Sequence, residues 1–190
     1  MTQALPTPEF SRPVVIDRLP DSGQHERLTA SADECAALAQ RFDIVDIRWL
    51  KAHAVLTRTD RSRGVALEVT FEAEVVQSCI VTLEPVVQQV AERFSIRFLP
   101  ADRVAAWEEA HVRMGEEGEL VDPEAPDPPE LLVGNTLDIG EAIAEHLALA
   151  LEPYPRAAGA EFQIPAEPEP EEAEKRPNPF AILQTRRDKA

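Results

Sequence analysis

The sequence predicts an α+β fold: a bent, mostly antiparallel β-sheet centred on one long hairpin, two main helices packed on it, and a disordered C-terminal tail. Three observations carry that expectation. Val65 to Phe98 holds the longest alternation of apolar and polar residues in the chain. Two segments, Ser31 to Phe42 and Ile139 to Leu151, repeat apolar residues at helical spacing behind a capping residue. Beyond Pro155, proline and glutamate replace the apolar residues that a core needs.

Taken in order, Phe10 to Ile16 reads as a short extended segment whose Pro13 suits an edge or a strand start. In Thr29 to Phe42, Ser31 and Glu34 fit a capping box, and Cys35, Leu38, Ala39 and Phe42 share one helical face. That gives Cys35 a packing role rather than a reactive one. Ile44 to Thr57 is apolar and β-prone, but its alternation is poor. Ile47, Trp49, His53 and Val55 share one parity, and Leu50, Ala52, Ala54 and Leu56 the other. Two short strands with a break near Leu50 or Lys51 are predicted. Arg58 to Gly64 is a polar turn ending in glycine.

The central stretch then sets the architecture. Val65, Leu67, Val69, Phe71, Ala73 and Val75 are apolar at odd positions, whereas Val90, Phe94, Ile96 and Phe98 are apolar at even ones. A phase change around Pro85 requires a turn between Ser78 and Pro85. A straight strand from Val65 to Leu83 would also run roughly 60 Å, too long for so small a domain. The segment SCIVTLEP is therefore a corner, with Cys79, Val81 and Leu83 expected to anchor it to the core.

Ala101 to Met114 shows helical spacing in Val104, Trp107 and His111. Residues 115–130, acidic and rich in proline, read as a mobile loop. Leu131 to Val133 is a candidate short strand closing onto the sheet, and Asn135-Thr136 a turn. Asp138 caps the next helix, with Glu141 in its first turn and Ile139, Ile143, Leu147 and Ala150 along one stripe. Glu152-Pro153-Tyr154-Pro155 stops it. Residues 1–155 thus form one α+β domain. Residues 156–190 are a disordered acidic linker with a short apolar and basic tip: Phe180, Ile182 and Leu183, then Arg186, Arg187 and Lys189. Such a tip has the form of a tethered docking peptide, the alternative being a frayed terminus.

The composition narrows the function. With 19 basic against 35 acidic residues, the net charge of −16 opposes wholesale binding to nucleic acid or an anionic membrane and suits a basic partner. The apolar runs are too short for a membrane span, and the N-terminus lacks a signal-peptide pattern. Cys35 and Cys79 are expected to be free thiols in a cytoplasmic setting. No phosphate-binding glycine loop, nucleophile elbow, HExxH or metal-ligand spacing is present, and His25, His53, His111 and His146 are scattered. No enzymatic activity and no cofactor are expected. Arg48, Lys51, Arg58, Arg61 and Arg63 form the basic stretch of the folded part, either a solvated turn or a phosphate-contacting patch. The tail cations Arg186, Arg187 and Lys189 are a second candidate contact.

Three motifs occur together in one order: SCIVTLEPV after a long strand, LDIGEAIAEHLALALEPYP, and a closing RPNPFAIL. In this the chain, from about Phe10 to Leu183, resembles the YceD family of bacterial large-subunit ribosomal RNA accumulation proteins. The residues carrying the resemblance are Cys79, Leu83, Glu84 and Pro85; Asp138, Gly140 and Glu141; Pro153, Tyr154 and Pro155; and Asn178, Pro179 and Phe180. The family corner usually reads Cys-x-x-Cys, but Thr82 stands at the second cysteine here. A lone thiol cannot supply that half of a tetrahedral thiolate site, so no metal is expected. The resemblance implies a cytoplasmic, non-enzymatic factor needed for accumulation of 23S rRNA and the large ribosomal subunit. Its expected partner is pre-23S rRNA or an immature large subunit, with no membrane involved. The alternative is an acidic chaperone or adaptor, binding a basic ribosomal protein or recruiting an rRNA-processing nuclease through Glu116 to Glu130 and Glu161 to Glu174.

Overall fold

A computed structural model describes residues 8–59, 64–115, 118–121 and 127–161, with backbone alone for 111–121. The elements run β1 (Pro13–Val15), a 3-10 turn (Ile16–Arg18), β2 (Gln24–Thr29), α1 (Ala32–Arg41), β3 (Asp46–Thr59), β4 (Gly64–Ser78) and β5 (Pro85–Leu99). After these come α2 (Ala101–His111), β6 (Val112–Gly115), β7 (Gly118–Val121), β8 (Glu130–Leu131), β9 (Thr136–Asp138) and α3 (Ile139–Leu149). The main sheet has the order β2-β3-β4-β5-β8. It is antiparallel except where β8 joins β5 in parallel. The chain divides into units 1–160 and 161–190.

The predicted hairpin is present without interruption, pairing Val65 with Phe98 at one end and Ser78 with Pro85 at the other. Odd residues of β4 face even residues of β5, so the parity change is simply the register of the pair. Val65, Leu67, Val69, Phe71, Ala73 and Val75 all point into the core. They meet Leu38 of α1 and Ile143 and Leu147 of α3, which are wholly buried in the same cluster.

Three elements differ from expectation. β3 is one strand, not two, and its irregularity lies between Ile47 and Trp49 rather than near Leu50. The extra residue, Arg48, lets Ile47 and Leu50 both face inward despite opposite parity. β2 was unforeseen because an edge strand with one wet face needs few apolar residues, and only Leu28 of QHERLT is buried. β1 pairs with β9, so Thr136 is in a strand rather than a turn.

Smaller shifts accompany these. α2 stops at His111, and the start of the expected loop at 115–130 belongs to the β6–β7 hairpin, which pairs Gly115 with Gly118. β8 lies one residue earlier than Leu131 to Val133. Helix α3 ends at Leu149, two residues short of Leu151. The Ser31 capping box is formed as predicted, and no helix among the described residues is long and apolar enough to cross a membrane.

The first turn of α3 is clamped to the N-terminal segment. Asp138 accepts bonds from Ser11 Oγ, from Arg12 N at 2.6 Å, and from the Gly140 and Glu141 amides of its own helix at 3.0 and 3.3 Å. Arg12 in turn pairs with Glu34 of α1 at 2.6 Å, and Arg41 bridges Glu141 at 2.7 Å. Charged ties thus link both helices to the N-terminal segment along the covered side of the sheet.

Candidate functional site

With α1 and α3 on one face, the other face of the main sheet is open to solvent. Strand alternation decides what stands on it. From β2 come His25, Arg27 and Thr29; from β3, Trp49, Lys51, His53 and Val55; from β4, Glu68, Thr70, Glu72 and Glu74; and from β5, Gln89, Ala91, Arg93, Ser95 and Arg97. Register sets them in rows across the strands. One row reads Arg27, His53, Thr70, Arg93, and its neighbour Thr29, Lys51, Glu72, Ala91.

The cations of this face are held in different ways. Arg48 bridges Glu74 at 2.7 Å, and Gln89 donates to the same carboxylate. Arg93 makes a long, exposed bridge to Glu68 at 3.3 Å, which contributes little in water. Arg97 donates to the Asp127 carbonyl at 2.6 Å. The Lys51 ammonium lies 5.4 Å from the Trp49 ring centre. Arg27 and Lys51 have no carboxylate partner among the described residues. The His25 and His53 rings stack with centroids 5.6 Å apart. A hollow of about 340 Å³ opens between β2 and β4, walled by Arg27, Lys51, His53, Thr70 and Glu72.

Of the predicted basic patch, Arg48 and Lys51 stand on this face and Arg58 does not. Arg58 caps the 3-10 turn instead, donating to the carbonyls of Leu19, Ile16 and Asp17 at 3.1, 3.0 and 2.9 Å. Three backbone acceptors make it a structural tie. Arg61 and Arg63 lie outside the described residues, as do Asn178, Pro179, Phe180, Arg186, Arg187 and Lys189. Sequence reading missed Arg27, Arg93 and Arg97. They are dispersed along the chain and become neighbours of Lys51 only through strand pairing.

The corner gathers a second set of motif residues at the far end of the same sheet. Cys79 and Glu84 close it by a backbone bond of 2.8 Å, and Ile80 N donates to the Pro155 carbonyl at 2.9 Å. Pro153, Tyr154 and Pro155 thus follow α3 back onto the corner, with Pro155 buried. Leu83, expected to anchor the corner, is 78 % exposed and holds a left-handed backbone with φ 62°. The turn geometry sends its side chain outward. Tyr154, Ile80 and Val87 are also exposed, so this end carries apolar surface.

Cys79 is fully buried, and its sulfur accepts from Ala157 N at 3.3 Å and from Thr82 N and Val81 N at 3.4 Å. The Ala157 amide foremost, then the Thr82 side chain and the Thr82 amide, favour the thiolate and pull its pKa from 9.0 down to about 6. Cys35 is the opposite case, pushed up chiefly by burial. Between pH 6 and 9 the folded chain carries a thiolate where the unfolded chain keeps its proton. The unfolded state therefore binds more protons, and stability rises with pH across that window. The contribution is lost as pH falls through 6. Replacing Cys79 by Ser is expected to flatten the stability curve between pH 6 and 9, measured by urea unfolding at each end. Equal slopes for both proteins would refute the thiolate assignment.

Among the described residues no group of three or more His, Cys, Asp or Glu is placed to hold a metal ion. Thr82, at the position of the family's second cysteine, instead points its hydroxyl to Glu84 at 3.3 Å. Fold and surface define an α+β scaffold that closes one sheet face over a core, leaves the other as a cation-bearing platform, and seals one end with a cysteine corner. Residues 67–185 match the family model described as Large ribosomal RNA subunit accumulation protein YceD, and the chain belongs to that family. The match supports a role in ribosome biogenesis, on the side of the large-subunit RNA. It begins within β4, so β1 to β3 lie outside it. No curated protein and no solved structure matches the chain.

Proposed function

We propose that this protein is a non-enzymatic, cytoplasmic ribosome-biogenesis factor that supports accumulation of 23S rRNA by contacting that RNA, or an immature large subunit, through its open sheet face. The observation that carries this reading is the charge distribution. Among the described residues, Arg27, Arg48, Lys51, Arg93 and Arg97 share the face with Asp46, Glu68, Glu72 and Glu74, five cations against four carboxylates. The whole chain has 19 basic against 35 acidic residues. An acidic protein that concentrates cations on one surface directs a polyanion there and repels it elsewhere. Reversing Arg27, Lys51 and Arg93 to Glu together is expected to abolish co-sedimentation with immature large subunits. These side chains are exposed, so folding should survive, as circular dichroism would verify. Unchanged sedimentation would sink the RNA-contact reading.

A second reading, an adaptor for a basic ribosomal protein, draws on the net charge of −16. A salt-sensitive complex with such a protein that survives ribonuclease favours it. Loss of every partner after ribonuclease favours direct RNA contact.

A further inference from the structure

We propose that the open sheet face takes an unpaired stretch of RNA rather than a duplex, with bases over the centre of the sheet and phosphates on its flanking cations. This deepens the RNA-contact reading and rests on it. The arrangement of charge comes first. Glu68, Glu72 and Glu74 run down β4, while Arg27 and Lys51 stand on one side and Arg93 and Arg97 on the other. Arg27 and Arg93 share a row three strand spacings wide, about 14 Å. Arg93 and Arg97 stand four residues apart along β5, about 13 Å. Phosphates gain at these edges and lose over the carboxylates. Base edges gain in the middle, where a carboxylate accepts from an exocyclic amino group.

The surface between the charges fits the same occupant. Thr70, Ala91 and Ser95 are small, which keeps the platform flat around the 340 Å³ hollow beside His53. The His25–His53 stack and the Trp49 ring beneath Lys51 offer π-faces. Unpaired bases can stack on such rings, whereas a duplex presents mainly phosphates and 2′-hydroxyls and leaves them unused. A duplex laid here would also bring phosphates toward the β4 carboxylates.

The test uses the full chain, a short single-stranded oligoribonucleotide of mixed sequence, and the same sequence annealed to its complement, with binding read by fluorescence anisotropy. The single strand is expected to bind about tenfold or more tighter than the duplex. Its affinity should fall with salt at a slope near −2 to −3, about −0.7 for each of three or four phosphates. With Trp107→Phe leaving Trp49 as the sole tryptophan, binding should quench Trp49 fluorescence. His53→Ala should weaken the single strand about tenfold and leave any duplex binding unchanged. Duplex binding equal to or tighter than single-strand binding would overturn this proposal while leaving RNA contact in place. Binding of neither RNA, with a basic peptide bound at this face instead, would overturn both readings. Single-strand binding unaffected by Arg27→Glu with Arg93→Glu would place the RNA on another surface and overturn the proposal.

Discussion

Gly140→Ala is expected to destabilise the protein by about 2 kcal/mol net, lowering the melting temperature by roughly 4–8 °C. A Cβ built on Gly140 would lie 2.9 Å from the Phe10 carbonyl carbon and 3.0 Å from Arg12 N, and closer still to the Phe10 carbonyl oxygen. All three are backbone atoms, which cannot step aside as a side-chain tip can. Phe10 is wholly buried, and the next residues, Ser11 and Arg12, are bonded to Asp138. The segment is therefore held from both sides. Overpacking of this kind costs about 3 kcal/mol at the upper end of its usual range. The better helix propensity of alanine returns about 1 kcal/mol. Gly134→Ala is the comparison: nothing lies within 4 Å of its Cβ, but its φ is +73°. It should lose about 1 kcal/mol, through backbone strain alone. Thermal unfolding of both variants checks the order, and a Gly140→Ala protein melting with the wild type would show that the Phe10 to Arg12 segment yields freely.

The Gly140 contact illustrates what a sequence withholds. A glycine after an N-cap aspartate could be read as part of a motif, but the reason for it is a backbone more than a hundred residues away. The same division runs through the fold. The long hairpin was legible because alternation is a local property, and it survives from Val65 to Phe98. The helix starts were legible because Ser31 and Asp138 bond amides two or three residues on. β3 was misread because a bulge and a chain break leave the same parity change in sequence, and only the partner strand distinguishes them. β2 was missed because its stability comes from pairing with β3 more than from its own apolar content.

The open face obeys the same logic. Lys51 and Arg48 are legible because they are close in sequence, while Arg27 joins His53 in one row through one strand pairing and Arg93 through two more. Arg58 was grouped with the patch by proximity in sequence, yet three carbonyls of the preceding turn claim it. At the corner, Cys79 was correctly placed inside, whereas the outward Leu83 follows from a left-handed backbone that its residue type does not advertise.

Asp138→Ala should cost still more, about 3 kcal/mol. The carboxylate performs two functions at once. As an N-cap it satisfies the Gly140 and Glu141 amides, for which loss typically costs about 1 kcal/mol. As the anchor of the N-terminal segment it accepts from Ser11 Oγ and from Arg12 N at 2.6 Å. Hydrogen bonds to a charged group contribute about 1.5–3 kcal/mol, and removal leaves the part-buried Arg12 amide without its acceptor. Asp138→Asn keeps an oxygen for the Arg12, Gly140 and Glu141 amides and sets its NH2 against Ser11 Oγ, which can turn to accept; it loses the charge alone, so it should fall between the wild type and Asp138→Ala. Urea unfolding measures the loss, and hydrogen exchange at the Ile139 amide, bonded to the Arg12 carbonyl at 3.1 Å, reports whether the segment has come away. The double variant Asp138→Ala/Gly140→Ala should cost less than the sum of the singles. Both act on the same Phe10 to Arg12 backbone, and a segment already released has no clash left to relieve. On the RNA-contact proposal, binding by the Asp138→Ala protein below its melting point should match the wild type, because the clamp lies with the helices on the covered side of the sheet and the cations stand on the other. Equal losses of stability and binding would instead show that the open face depends on the clamp for its shape.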